Sequence, residues 1–336
     1  MSDPNLKKLR DKYVGKLTMK EPYSKTKLLS KQARGVLDLL RPFTLMAPFL
    51  VSMSVMVASL IYNLQYTSGF TASQNWWITV GQAAFTIAIV NAASNSLNQA
   101  TDVESDSISK AYRPIPRGMV KAEGAQSLAY ILYLFALLRA VTINVWFGIF
   151  IFLIMIFTVT YSLPPRMKKY LFINQIWIAI PRGMFGILAS WSVFGDPFTP
   201  TPLIIGGIAT TFLIGGMATK DIVDSVADKQ TGVHTLINTY GNKKTAMISF
   251  PFMFFPFFFI LIFIHQGSLQ PYLWPLCIFS IISCFIVYLM MRDTESKTLE
   301  NVHSWSIMYV EYIFFALCFA LLTIFSKELN IPNIFG

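Results

Sequence analysis

Soft metal ligands and charge are both scarce in this chain. Among 336 residues there are 3 cysteines and 3 histidines, and only 13% of positions are Asp, Glu, Lys or Arg. Cys277, Cys284 and Cys318 stand inside apolar runs at spacings no zinc site uses, and an odd set at lipid depth excludes a disulfide framework. They are read as small packing residues. His234, His265 and His303 are scattered without ligand spacing and are read as structural. Charge this sparse, beside 54% hydrophobic residues, 29 Phe and a positive mean hydropathy, excludes a soluble core of this length. Residues 1–40 lack the short apolar core and small-residue cleavage site of a secretory signal, so no cleavage is expected.

What the chain does have is a series of long apolar runs. Nine candidate spans fall at 42–62, 76–97, 124–141, 143–161, 173–194, 201–220, 245–265, 271–291 and 307–326. At about 20 residues per span, one bundle uses nearly the whole length. A single nine-span domain over 42–326 is therefore expected, after a basic N-terminal segment 1–41 and before a short tail 327–336. Leu28, Leu29, Val36, Leu37, Leu39 and Leu40, mixed with Lys31, Arg34 and Arg41, predict an interfacial amphipathic helix closing that segment. The net charge of +10 is not a nucleic-acid footprint, because the basic residues gather between apolar runs and are not interleaved with aromatics on a soluble face.

Those basic residues also orient the chain. Lys110, Arg113, Arg117 and Lys121 follow the second span, and Arg166, Lys168 and Lys169 follow the fourth. Lys220, Lys229, Lys243 and Lys244 surround the loop after the sixth, and Arg292 and Lys297 follow the eighth. The alternate segments 63–75, 195–200 and 266–270 contain no Lys or Arg. The positive-inside rule then predicts a multi-pass cell-membrane protein with its N-terminus and its charged loops in the cytoplasm.

Two acidic clusters close apolar runs on that predicted cytoplasmic side. Asn98, Asp102 and Asp106 stand four residues apart, so if the preceding helix continues they share one face, about 6 Å from neighbour to neighbour. Asp221, Asp224 and Asp228 stand at i, i+3 and i+7 and share a helical face as well. Carboxylates this close repel unless a cation lies between them, and oxygen ligands without His or Cys suit Mg2+ rather than zinc. Alone, the first cluster reads equally well as a solvated helix end. The second cluster weighs against that, as does the Pro-rich basic loop Tyr161-Ser162-Leu163-Pro164-Pro165-Arg166-Met167-Lys168-Lys169 between them. Glu104, off the aspartates' face, reads as surface, and Lys169, Lys243 and Lys244 read as topology signals only. For Arg113 and Lys168 that topological role competes with a binding role. The segment 292–306, with Asp293, Glu295, Glu300 and His303, reads as a solvated connector.

Facing aspartate clusters holding Mg2+, ringed by Arg and Lys at the rim of an apolar cavity, would bind a diphosphate whose tail stays in lipid. An isoprenyl diphosphate is such a molecule. Its allylic C–O bond would ionise as charge on the leaving diphosphate is neutralised, in a dry chamber whose aromatic faces favour a carbocation. Two further features lie deeper. Arg182 stands mid-span beside Pro181 and Gly183, where a charge is costly and lines a cavity or has a partner. Glu311 is the candidate partner, with snorkelling to the interface as the alternative. Gly206-Gly207 and Gly215-Gly216 predict close helix packing.

Three stretches together carry a family resemblance. They are Asn98-x-x-x-Asp102-x-x-x-Asp106 with Arg113-Pro114-Ile115-Pro116, then Tyr161-Ser162-x-Pro164-Pro165-x-x-Lys168, then Lys220-Asp221-x-x-Asp224-x-x-x-Asp228-x-x-x-Gly232-x-x-Thr235-Leu236. With nine spans and Arg41-Pro42 opening the first, the chain resembles the UbiA superfamily of intramembrane prenyltransferases over nearly its whole length. The resemblance implies an all-α integral membrane bundle around a central cavity open to lipid, with the two Asp-rich motifs in a cytoplasmic cap. It also implies two Mg2+ ions bridging those motifs to an isoprenyl diphosphate donor, and a lipophilic acceptor. On that basis Asn98, Asp102 and Asp106 form the first metal site, and Asp221, Asp224 and Asp228 the second. Arg113, Lys168, Arg41 and Lys220 hold the diphosphate, and Tyr161 lies near the ionising carbon. Gln99, where Asp is frequent, and Ala227, where Gly or Glu is frequent, depart from the commoner pattern without removing a ligand.

The Tyr-Ser-x-Pro-Pro loop and the second Asp pattern look similar to branches that use chlorophyllide, glycerophospho-ether lipids or carotenoids, and less to the aromatic, quinone-precursor branch. A lipid acceptor such as geranylgeranylglyceryl phosphate is the expectation. A cation transporter or channel would place acidic residues at mid-depth in several spans, whereas here the aspartates stand at one end. A CDP-alcohol phosphotransferase would carry Asp-Gly followed by Ala-Arg, which neither cluster has.

Overall fold

The computed structural model describes residues 28–293 and 302–327. The basic residues before Leu28, together with Glu295, Lys297, Glu300 and the tail from 328, lie outside the described residues. Regular structure among those described is entirely helical: α1 Leu28–Leu40, α2 Pro42–Tyr66, α3 Trp76–Thr101, α4 Val103–Ser109, α5 Ala122–Ile143 and α6 Val145–Ser162. Then follow α7 Ile173–Ile180, α8 Gly186–Ser192, α9 Pro200–Gly216, α10 Asp221–Gln230, α11 Leu236–His265, α12 Phe279–Arg292 and α13 His303–Ile324. Eight helical segments among the described residues are long and apolar enough to cross a membrane, and they match eight of the nine expected spans. The chain is a multi-pass membrane protein.

The span expected at 173–194 is interrupted. It runs as α7, a π-helical turn Pro181–Phe185, and α8. The cause is local. Pro181 brings no N–H to the helix ladder, and α9 crosses so closely that a Cβ on Gly183 would lie 2.5 Å from the Thr210 backbone nitrogen. Gly183→Ala is therefore expected to lower the thermal midpoint in detergent, at a cost of about 1–3 kcal/mol for overpacking. An unchanged midpoint would mean that α9 yields there. The second glycine pair expected to pack closely does so: a Cβ on Gly215 would sit 2.7 Å from the Ser249 carbonyl oxygen on α11. Gly207 has no such neighbour.

Helices α2, α3, α6, α7 with α8, α9 and α13 surround the centre, and α5, α11 and α12 pack outside them. In α5, Ala125, Ala129, Ala136 and Ala140 are fully buried, so its backbone approaches α3 closely. Its opposite face, with Ile131, Leu134 and Leu138, is exposed and suits lipid.

A ladder of amides fixes the junction between α1 and α2. Along one edge of α3, Asn91 donates to the Thr44 carbonyl (3.2 Å), Asn95 to the Leu40 carbonyl (3.0 Å) and Gln99 to the Leu39 carbonyl (2.7 Å). The Thr44 carbonyl is the one that Pro48, lacking an N–H, leaves without its helical donor. One residue earlier, the Tyr309 hydroxyl of α13 inserts into the same helix, accepting from the Ala47 N–H (2.8 Å) and donating to the Phe43 carbonyl (3.1 Å). Arg41, between α1 and α2, is held in the left-handed region at φ 53°. That conformation is uncommon for a residue with a Cβ, and the bonds on either side of it enforce it.

Candidate active site

A cavity of about 440 Å³ lies at the centre of the bundle. Every residue expected at the site borders it: Arg41, Asn98, Asp102, Asp106, Arg113, Tyr161, Lys168, Lys220, Asp221, Asp224 and Asp228. They come from widely separated stretches of the chain.

The first motif does not continue its helix as expected. The helix breaks at Asp102 (φ −109°, ψ 22°), so α3 ends and α4 restarts, and Asn98, Asp102 and Asp106 do not share one unbroken face. The break turns α4 across α10, and the two Asp motifs meet there. The second motif keeps its expected face on α10, which follows a 3-10 turn Met217–Lys220.

Among the described residues, every aspartate of the two motifs except Asp228 is paired with a cation, mostly from another element. Arg113 donates through one nitrogen to both oxygens of Asp106, at 2.7 and 2.8 Å, and their side chains are only 6% and 5% exposed. Lys110 reaches Asp224 of the other motif at 2.5 Å. Lys168 pairs with Asp102, which Arg166 also contacts at 3.0 Å, and Lys220 pairs with Asp221 at 2.5 Å. Asn174 of α7 links these groups, donating to Asp221 (3.4 Å) and accepting from Tyr161 (3.2 Å) and Lys220 (3.3 Å). The Lys168 ammonium stands 6.0 Å from the centre of the Tyr161 ring. Burial is the leading influence on two of these groups: it pushes the Asp106 carboxyl up, opposed by Arg113, and pulls the Lys168 ammonium down, opposed by Asp102.

Sequence reasoning missed three partners here. Lys110 and Arg166 read as topology signals, because a Coulombic partner more than 60 residues away leaves no local pattern. Asn174 is a single amide at the start of a span and carries no signal in sequence. Lys169, read as a topology signal, borders the cavity rim as well, and so does Glu104, although both are exposed.

The deeper features resolve differently. Arg182 and Glu311 do not pair: the Glu311 carboxylate accepts from Ser283 (3.0 Å), whereas Arg182 borders the cavity. Glu311 stands one residue from Tyr312, but successive residues on a helix point about 100° apart, and it faces α12.

The site's fit to a hard divalent cation can be judged from its oxygens. No three Asp, Glu, His or Cys groups among the described residues converge as a closed metal cage. Yet one oxygen of Asp224 is buried with no hydrogen-bond partner, and Asp228 has no ion pair among the described residues. Mg2+ is usually held by one or two carboxylates with the remaining positions given to water and phosphate oxygen. An open, all-oxygen arrangement fits that habit.

The model of the UbiA prenyltransferase family matches residues 66–317. A digeranylgeranylglyceryl phosphate synthase of Sulfurisphaera tokodaii is 25% identical over 186 residues, 54% of this chain and 66% of that protein. This chain spans less than two thirds of the length of the first archaeal synthases it matches. A probable homogentisate phytyltransferase of rice, Oryza sativa, is 26% identical over 88% of this chain and 80% of its own length. Among solved structures, a UbiA homologue of Archaeoglobus fulgidus bound to GPP and Mg2+ superposes with a TM-score of 0.66, covering 86% of this chain and 98% of that one at 17% identity. That likeness shows the fold.

Proposed function

The chain belongs to the UbiA prenyltransferase family, and from that membership we propose that it moves an isoprenyl group from an isoprenyl diphosphate to a lipophilic acceptor, with Mg2+ as cofactor. The observation that carries this reading is the single cavity on which the aspartates of both motifs and the cations of three loops converge. Asn98, Asp102 and Asp106 on one side and Asp221, Asp224 and Asp228 on the other would hold two Mg2+ ions. When bound, the metal supplies positive charge against the diphosphate and so favours its departure.

The chain's own groups do the rest. Arg113, Lys168, Lys220 and, at the rim, Arg41 hold the diphosphate oxygens, Lys168 and Arg113 from buried positions where a charge-assisted bond is strong. The allylic C–O bond then breaks, and its electron pair leaves with the diphosphate. The Tyr161 ring, fixed through Asn174, offers a π face to the allylic cation. Ile87, Val90, Ile151 and Ile154 keep that part of the chamber apolar, so water is excluded. An acceptor hydroxyl oxygen forms the new C–O bond, and its proton leaves with the diphosphate. The charged end of the bundle faces the cytoplasm, a reading supported by the absence of Lys and Arg from the alternate segments.

The acceptor is a glycerophosphate lipid such as geranylgeranylglyceryl phosphate, supported by the names of the archaeal relatives. An aromatic acceptor is the second reading, favoured by the longer match to the rice protein. Purified protein given geranylgeranyl diphosphate is expected to release diphosphate only with Mg2+, to fall to background with EDTA and to recover when Mg2+ is restored. The acceptor that accelerates release separates the two readings. Release indifferent to EDTA would refute the metal site.

A further inference from the structure

Arg182 is a cavity-lining charge that the diphosphate chemistry leaves without a task. It sits in the π turn, where α9 pressing on Gly183 and the Tyr312 hydroxyl donating to the Arg182 carbonyl (2.8 Å) fix the backbone. Its side chain is exposed to the cavity, and its guanidinium has neither a hydrogen bond nor an ion pair among the described residues. The titratable groups acting on it most strongly are Tyr309, Tyr312, Tyr161 and Arg41, none of them a carboxylate. Arg182 follows Asn174, which marks the diphosphate end, by eight residues, so at about 1.5 Å per residue its backbone lies about 12 Å deeper. A cation kept at that depth without a counter-charge is costly unless a ligand supplies one.

We propose that Arg182 binds the phosphate of the acceptor, as a second anion site below the diphosphate site. This rests on the glycerophosphate reading given above. Two anionic substrates must share one cavity, and each requires its own cation, or their mutual repulsion opposes binding. With the acceptor phosphate drawn to Arg182, its hydroxyl is directed toward the level of Tyr161, where the allylic carbon is set free. Tyr309 and Tyr312, from the same wall, flank the headgroup.

The test uses the full chain in detergent without Mg2+ or donor. Trp177 and Trp305 border the cavity, so their fluorescence reports occupancy. Geranylgeranylglyceryl phosphate and its uncharged analogue geranylgeranylglycerol are titrated in parallel. Arg182→Gln is expected to weaken binding of the phosphate tenfold or more while the alcohol binds as to wild type, and Arg182→Lys to restore most of the difference. In turnover, the loss in Arg182→Gln falls on the KM for the phosphorylated acceptor and not on that for the donor. Equal binding of the phosphate by wild type and Arg182→Gln overturns the assignment, and so does a loss confined to donor KM or a wild type that does not favour the phosphate. Mg2+-dependent diphosphate release by wild type is scored separately. If release is intact and phosphate selectivity absent, this site is wrong and prenyl transfer stands; if release is absent with every donor, prenyl transfer fails whatever the titration gives.

Discussion

Asp221→Asn is expected to reduce Mg2+-dependent diphosphate release on the order of 10³-fold, the scale on which removal of one preorganised electrostatic group acts in active sites. Asp221 is 1% exposed and gathers the Lys220 ammonium, the Asn174 amide and the Gln175 amide around a single carboxylate. The substitution keeps its shape and removes its charge. Lys220 retains the Asn174 oxygen at 3.3 Å, so the protein should still fold with a modest drop in thermal midpoint. Release and melting are measured on the same preparation. More than a tenth of wild-type release from folded Asp221→Asn would remove this residue from the metal site.

Arg113→Leu should act first on stability. Its partner Asp106 is 4% exposed, and stripping one member from a buried pair leaves an uncompensated charge at a cost of about 3–5 kcal/mol. The Arg113→Leu, Asp106→Leu double variant removes both charges and replaces them with apolar volume, and its thermal midpoint should return toward wild type. Activity should not return with it, since a diphosphate ligand and a metal ligand are both gone. A double variant that recovers activity along with stability would show the pair to be a structural clasp only. A single variant that melts like wild type would show that Asp106 is satisfied elsewhere.

Much of this arrangement was legible in the sequence because its causes are local. Apolar runs of span length located eight of the expected membrane helices, since lipid demands an unbroken apolar segment wherever a helix crosses. The i, i+3, i+7 spacing of Asp221, Asp224 and Asp228 survives because α10 is a regular helix. The same reasoning failed at Asp102, where the helix breaks, because no Pro or Gly marks the break. It failed also in the fifth span, where Pro181 was visible but the π turn depends on Thr210 of a helix not yet placed. Asn91 and Asn95 carried no functional signal. They serve carbonyls of two neighbouring helices, α2 and α1, one of them exposed by Pro48, and only the packed structure brings donor and acceptor together. Cation partners were the least legible: a lysine that marks topology and one that clasps a distant aspartate look alike in one dimension.

The hydroxyl of Tyr309 that lodges in the backbone of α2 has a consequence for biogenesis. Helices α2 and α13 are bound to each other, and Trp305, Met308, Tyr309 and Tyr312 of α13 supply a wall of the chamber. A ribosome that has already made both aspartate motifs has made no closed chamber, because one wall is still unsynthesised. Quality control acting during synthesis would therefore meet a half-built bundle, and the reaction space comes into being only when α13 arrives.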